Sequence, residues 1–197
     1  MPNATQPQLD KIVTIVSGLP RSGTSMMMKM MESGGVPALI DNLRVADDDN
    51  PGGYYEFEPV KQTKQDASWL KEAPGKVVKM VYRLLYDLPG GYEYRVLFMR
   101  RNLDEVLASQ KVMLSRHGKD DTAVKDEQMS KLFRSQLAEF MSWIPRQANF
   151  KMLEVDYNQM LAEPAAMIAR INEFLGGGLD VEAMAGIVDP KLYRNRK

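Results

Sequence analysis

The sequence predicts an α/β fold of three layers, in which a central, mainly parallel sheet is flanked by helices. Short β-branched apolar runs alternate along the chain with segments of helical periodicity. This alternation implies right-handed crossovers and a sheet that is covered on both faces. The composition does not break anywhere in the 197 residues, which favours a single domain over residues 1–197. In such folds ligands bind at the carboxyl ends of the strands.

Four apolar runs are predicted to be strands. The first, Lys11–Ser17, stops at Gly18 and Pro20, as a buried strand does before a turn. The other three predicted strands are Lys76–Val81, Arg95–Met99 and Phe150–Val155. For Val36–Ile40 a short strand and an extended connection both remain open.

Helices are predicted between these strands. Thr24–Ser33 follows the first strand and ends at two glycines. A second helix begins at Asn102, with Glu105 three residues later, and runs to about Ser115; the Asn102 side chain is expected to accept from a free amide, as in a capping box. Further helical segments are predicted at Pro59–Leu70, Thr122–Ile144 and Pro164–Leu175.

The composition excludes several classes of function. Lys plus Arg and Asp plus Glu number 26 each, so no overall field attracts nucleic acid or an anionic membrane. There is no cysteine, which excludes disulfides and thiolate sites and suits a cytoplasmic protein. A zinc site would depend on the single His117 plus carboxylates, so no metal is expected. Residues 1–10 form a polar extension without the features of a secretory signal, and no apolar stretch is long enough to span a membrane.

The first candidate site is the segment Gly18–Ser25, which lies between a predicted strand and a predicted helix. Free amides in the first turn of a helix, together with the helix dipole, favour a phosphate or sulfate at such a place. A Walker A loop would carry lysine where Thr24 stands. Here the cation is Arg21, inside the turn, which favours an anion that one guanidinium clamps directly. The alternative is a tight turn whose glycines and hydroxyls serve only geometry and helix capping.

Part of this segment resembles the 5′-phosphosulfate loop of sulfotransferases that depend on 3′-phosphoadenosine 5′-phosphosulfate (PAPS). The residues concerned are Pro20, Arg21, Ser22, Gly23, Thr24 and Ser25. Family members carry a Pro-Lys-Ser-Gly-Thr-Thr type sequence, and arginine replaces the lysine in tyrosylprotein sulfotransferases. The resemblance implies a P-loop-like fold, PAPS as cosubstrate and adenosine 3′,5′-bisphosphate as product. It also implies that the backbone of Ser22 and Gly23 and the hydroxyls of Thr24 and Ser25 hold the phosphosulfate, and that Arg21 contacts the transferring group.

The second candidate site follows the third predicted strand, where Arg101 starts a segment that reaches Ser109. Arginines at strand ends commonly form surface ion pairs, which is the structural alternative. The segment nevertheless resembles the family's 3′-phosphate signature, in which serine stands eight residues after the arginine. Asn102 matches this signature, and Leu103 replaces its frequent proline. The resemblance implies that Arg101 and Ser109 bind the 3′-phosphate of the donor.

The end of the chain, residues 193–197, resembles the tails of small bacterial sulfotransferase-like proteins. Its sequence is Tyr-Arg-Asn-Arg-Lys. We hypothesise that Arg194 or Arg196 folds back on the 3′-phosphate, the alternative being a solvated basic tail.

Sulfuryl transfer requires cations at the sulfonate and a base for the acceptor proton. Lys79 interrupts an otherwise apolar strand and stands where related enzymes have a lysine near the sulfonate, so with Arg21 it is expected to replace the magnesium of kinases. The alternative is a lysine on an edge strand that faces water.

The base is sought elsewhere, because the family's histidine after the strand lysine is absent and His117 is expected to be exposed in a polar loop. Glu56 and Glu58 end a segment, 41–58, that is predicted to be a mobile loop near the active site. Their aromatic neighbours suit an acceptor pocket and are expected to raise the pKa of a carboxyl there. Only one of the two glutamates is expected to act as the base, and Glu56 is preferred.

Two other functions remain open from the sequence. One is a P-loop nucleotide-binding protein or kinase-like phosphotransferase, and the other is a non-catalytic module that kept the donor pocket. The acceptor is expected to be a small molecule that offers a hydroxyl, but its identity is not encoded in a recognisable motif. The oligomeric state is open, a homo-oligomer included.

Overall fold

A four-stranded parallel sheet forms the centre of the structure. The computed structural model describes residues 11–44, 47, 53–116 and 126–189. The strands are β1 (Ile12–Gly18), β2 (Val77–Val81), β3 (Glu93–Arg100) and β4 (Phe150–Asp156). Their order is β2-β1-β3-β4, and all three pairings are parallel. The predicted α/β class with a parallel sheet is therefore confirmed, and each of the four predicted strands lies within two residues of its predicted bounds.

Helices cover the sheet as the alternation of the sequence predicts. They are α1 (Thr24–Ser33), α2 (Leu103–Arg116), α3 (Asp126–Trp143), α4 (Tyr157–Ala162), α5 (Pro164–Leu175) and α6 (Val181–Ala185). The predicted bounds of α1 and α5 match the observed ones. Residues 117–125, where the helix predicted from Thr122 begins, lie outside the described residues. No helix in the described part of the chain is long and apolar enough to cross a bilayer.

The helix predicted at Pro59–Leu70 is wrong. Two 3₁₀ turns, Glu58–Gln62 and Ser68–Glu72, occupy this region instead. Side chains there compete with helical backbone bonds: the Thr63 hydroxyl donates to the Val60 carbonyl, and Asp66 accepts from the Ser68 amide. Two more 3₁₀ turns follow β2 and α3, at Tyr82–Asp87 and Ile144–Arg146. The Val36–Ile40 segment is an extended connection with one isolated bridge, from Ala38 to Val77.

Buried side chains fill both faces of the sheet. On one face, Ile15 of β1 packs in a cluster with Phe98 of β3 and Phe140 of α3. On the other, Val16 packs in a cluster with residues of α1, α4, α5 and α6. The α1 members of this second cluster are Met27, Met28, Met30 and Met31, all fully buried. Each such side chain contributes about 1.5–3 kcal/mol of apolar burial, so α1 is fixed firmly on the sheet.

Candidate active site

The loop between β1 and α1 has a shape that depends on glycine. A Cβ atom at Gly18 would lie 2.6 Å from the Ser22 hydroxyl and 2.7 Å from the Met99 carbonyl oxygen. Gly23, with φ of 96°, is the N-cap residue of α1 and has no side chain that could cap the helix. The start of α1 is thus a place where backbone amides can bind an anion, as the sequence predicts.

Inside this loop Ser22 and Arg21 have different surroundings. The Ser22 side chain is buried, and its hydroxyl donates to the Leu19 carbonyl at 2.7 Å. The Ser22 backbone amide donates to the same carbonyl at 3.2 Å, so both groups of Ser22 close the turn. Arg21 adopts a φ of 73°, in the left-handed region that favours glycine. The other described non-glycine residues with positive φ, Asn42 and Tyr55, belong to the segment across the cavity from this loop. Such outliers concentrate at functional sites.

The junction between β3 and α2 is built around a buried ion pair. Arg101 Nε lies 2.9 Å from Glu105 Oε2, and the two side chains are only 8% and 2% exposed. Asn158 of α4 donates to the other oxygen of Glu105 at 3.3 Å. Asn102 accepts from the Asp104 amide at 2.9 Å, so its predicted capping role is confirmed, whereas Glu105 serves Arg101. The surface ion pair considered for Arg101 is thus a buried one.

The two junctions contact each other directly. Arg101 Nη1 donates to the carbonyl oxygen of Arg21 at 3.1 Å, and Arg21 Nε donates to Ser109 Oγ at 2.9 Å. Tyr157 contacts both junctions. The centre of its ring is 4.7 Å from the Arg101 guanidinium, and a Cβ atom added at Gly23 would lie 2.4 Å from the ring. The structure therefore brings Arg21, Arg101 and Ser109 together in one place.

A cavity of about 260 Å³ opens beside Arg21 at the carboxyl ends of β1 and β2. Its lining includes four residues of the loop, Pro20, Arg21, Thr24 and Ser25. The opposite side is lined by Arg44, Tyr54, Glu56, Phe57, Val60 and Lys61, and the remainder mainly by apolar residues of β2 and its surroundings. The cavity thus has a cationic, hydroxyl-bearing end and a larger apolar part.

Lys79 connects the two sides of this cavity. It pairs in register with Val16, which places it on the α1 face of the sheet. β2 is an edge strand of the sheet, yet Lys79 is only partly exposed and lines the cavity, so its side chain does not simply face water. Its ammonium donates to the Tyr54 carbonyl and lies 3.5 Å from Ser25 Oγ.

Burial lowers the pKa of Lys79 to about 8. That value includes the opposing effect of Glu56, which raises the pKa, and the smaller effects of Arg44 and Lys61, which lower it. Lys79 is therefore a cation at neutral pH that loses its charge in mildly alkaline solution.

Glu56 and Glu58 differ in their position relative to the cavity. Glu56 lines it, with its carboxylate 3.3 Å from Arg44 Nη1 and 4.0 Å from Lys61 Nζ. Glu58 begins a 3₁₀ turn, is about half exposed and pairs with Lys61 at 2.5 Å. Lys61 lies within reach of both carboxylates, so the two glutamates are on the same side of this segment.

Some predicted site residues cannot be placed. Arg194, Arg196 and His117 lie outside the described residues, as do residues 1–10 and most of 45–52. Within the described ranges, no group of three or more metal-binding side chains occurs.

Sequence reasoning missed three side chains that surround Arg101. Glu105 is its ionic partner, the Tyr157 ring lies against its guanidinium, and Asn158 bonds Glu105. Asp156 offered a local signal for α4, because it caps that helix by accepting from the Gln159 amide. Arg101 and Glu105 are only four residues apart, but the contacts of Tyr157 and Asn158 join positions more than 50 residues apart, which no local pattern encodes.

Comparisons with known proteins support the fold described above. Residues 93–181 match the model of a sulfotransferase family. Among solved structures the chain is similar to a sulfotransferase domain from the curacin biosynthetic pathway, with 13% identity over 88% of this chain and 76% of that chain and a TM-score of 0.50. A sulfotransferase domain from the Synechococcus PCC 7002 olefin synthase has 13% identity over 94% and 83%, with a TM-score of 0.49. Retinol dehydratase in complex with androsterone and inactive cofactor PAP has 17% identity over 92% and 64%, with a TM-score of 0.46. No curated protein matches the chain.

Proposed function

We propose that this chain is a sulfotransferase, which transfers a sulfuryl group from PAPS to the hydroxyl of a small-molecule acceptor. The observation that carries the choice of donor is the contact between the two strand-to-helix junctions. Arg101 Nη1 bonds the Arg21 carbonyl, and Arg21 Nε bonds Ser109, so two arginines adjoin in one site. PAPS carries negative charge at both the 3′ and the 5′ position of one nucleoside, and adjoining cations suit such a ligand.

The first junction fits the 5′-phosphosulfate. The uncapped first turn of α1, the hydroxyls of Thr24 and Ser25, and Arg21 would bind its oxygens. PAPS supplies the sulfuryl group, and the bond between sulfur and the phosphate-bridging oxygen breaks as the acceptor oxygen bonds to sulfur. Arg21 and Lys79 would stabilise the charge on the sulfonate and on the bridging oxygen. Charge stabilisation by these residues needs no metal ion.

The second junction fits the 3′-phosphate. Arg101 is held in place by Glu105 and by the Tyr157 ring, and Ser109 of α2 accepts from Arg21, whose carbonyl Arg101 contacts. The predicted contribution of Arg194 or Arg196 stays part of the proposal. Composition without cysteine favours a cytoplasmic site of action.

Glu56 is our candidate for the base that takes the acceptor proton. It lines the cavity between the apolar part and Lys79, whereas Glu58 is absent from the described lining. Arg44 and Lys61 would orient the Glu56 carboxylate toward an acceptor hydroxyl. The apolar lining, with Phe57, Val60 and Leu84, suits an acceptor with an apolar body.

Thermal unfolding with ligands tests the donor. Adenosine 3′,5′-bisphosphate at about 100 times its Kd is expected to raise Tm by about 5–10 °C without magnesium. ATP with magnesium is expected to have no comparable effect. Stabilisation by ATP with magnesium but not by the bisphosphate would favour a kinase-like protein, because such proteins share the strand-loop-helix arrangement.

Transfer itself is tested with radiolabelled PAPS and a panel of phenols and alcohols. Donor binding without transfer to any acceptor would favour a non-catalytic module. Where transfer occurs, Glu56→Gln is expected to lower the rate by about 100-fold, and Glu58→Gln serves as the matched control. Undiminished rates in both variants would exclude both glutamates as the base.

A further inference from the structure

The second junction contacts the loop between β1 and α1 at two consecutive residues, Pro20 and Arg21. The contacts come from α2 and from Arg101, which precedes the N-cap residue of that helix. Gln110 Nε2 donates to the Pro20 carbonyl at 3.2 Å. Arg101 Nη1 donates to the Arg21 carbonyl at 3.1 Å, and Ser109 accepts from Arg21 Nε at 2.9 Å. The peptide groups on both sides of the Arg21 Cα atom are thus tied to the second junction, and so is its side chain.

Arg21 is the residue of this loop that most needs such restraint. Its φ of 73° lies in a region that residues with a Cβ atom adopt at a cost. A strained backbone persists only where its surroundings hold it. The carbonyl that precedes Arg21 is held by Gln110 and the one that follows by Arg101. The backbone angles of Arg21 relate these two peptide groups to each other. Holding both groups therefore fixes the direction of the Cα–Cβ bond, from which the side chain starts.

We propose that Gln110 is a positioning residue for Arg21, which it keeps aimed at the sulfonate of the donor. This inference rests on the proposed function. Gln110 is absent from the described lining of the cavity, so it acts through the Pro20 carbonyl and does not touch the donor. The role of Gln110 is distinct from that of Ser109, which is expected to bind the 3′-phosphate.

The test compares two ligands that differ only in the sulfuryl group. Affinities for PAPS and for adenosine 3′,5′-bisphosphate are measured in the wild-type protein and in Gln110→Met, which keeps the side-chain length but removes the donor. We expect the affinity for PAPS to fall about fivefold, as for one lost hydrogen bond, and the affinity for the bisphosphate to change less than twofold. The matched control is Gln128→Met, on an exposed position of α3, with both affinities unchanged.

A double-mutant cycle shows whether Gln110 acts through Arg21. In an Arg21→Met background, Gln110→Met is expected to cause no further loss of PAPS affinity, because the group that it positions is gone. Equal losses for both ligands in Gln110→Met, or additive losses in the double variant, would overturn the proposal, as would unchanged affinities. A wild-type protein that binds neither ligand would instead refute the proposed function, and this inference with it.

Discussion

The two strand-to-helix junctions of this protein suit anions by different means. The β1–α1 junction relies on backbone: glycines at its bends and uncapped amides at the start of α1. The β3–α2 junction relies on side chains: Arg101 is buried with Glu105, and Asn158 bonds the same carboxylate. The junction between a strand and the following helix can therefore bind an anion in two ways, through the backbone of its turn or through a network of charged side chains. The two junctions should accordingly fail in different ways when they are mutated.

The largest expected effect comes from breaking the charge network. Arg101→Met would remove the cation that pairs with the buried Glu105 carboxylate, which costs about 3–5 kcal/mol of unfolding free energy. The matched control is Arg100→Met, which breaks the pair of Arg100 with Glu154, whose side chains are 44% and 52% exposed. It is expected to cost less than about 1 kcal/mol. Urea denaturation of the three proteins gives both values.

A double variant separates the structural role of Arg101 from its role toward the ligand. Arg101→Met with Glu105→Leu also removes the buried carboxylate, so most of the lost stability is expected to return. Preference for adenosine 3′,5′-bisphosphate over adenosine 5′-monophosphate is expected to stay lost. If the double variant were as unstable as the single one, the buried Glu105 charge would not be the cause.

The backbone of the first junction is tested at Gly23. Gly23→Ala would place a Cβ 2.4 Å from the Tyr157 ring at a φ of 96°, so we expect a loss of about 3 kcal/mol from overpacking and strain together. Gly35→Ala is an apt control, since Gly35 has the same φ of 96° but no atom within 4 Å of the added Cβ. It is expected to cost only about 1–2 kcal/mol. Equal losses in urea denaturation would mean that contact with Tyr157 is unimportant.

This difference between the junctions also explains how far the sequence could predict the site. The first junction is local: Gly18, Arg21 and Gly23 act through the turn that they form, so their pattern alone indicated an anion site. The sheet was predictable for a similar reason, since β-branched runs such as Ile12–Gly18 match buried parallel strands.

The network of the second junction was not predictable, because it joins α2 to α4. Asn158 and Glu105 meet only after the chain has crossed to β4, and no local motif links the two residues. The failed helix at Pro59–Leu70 has a related cause: Trp69 Nε1 donates to the Thr63 hydroxyl, which itself donates to the Val60 carbonyl. Side-chain bonds of this kind override helical periodicity without leaving a periodic signal.

The smallest expected effect concerns titration. The first junction draws its second cation from Lys79, whose pKa burial lowers to about 8, whereas the second junction relies on a guanidinium. Below pH 8 the ammonium is protonated and attracts the sulfonate, and above pH 8 it becomes neutral. The affinity of the free protein for PAPS should thus fall by about tenfold from pH 7 to pH 9. Isothermal titration at each pH measures it.

Two lysine-to-arginine variants decide whether Lys79 is the group that titrates. Lys79→Arg keeps a permanent cation, so it is expected to bind PAPS with little pH dependence between pH 7 and pH 9. Lys71→Arg, at an exposed position, should keep the wild-type slope. A Lys79→Arg protein that retained this slope would show that another group causes it. The preference for a 3′-phosphate depends on a guanidinium, so it should not change between pH 7 and pH 9. If this preference fell together with the affinity for PAPS, the two junctions would not bind their anions independently.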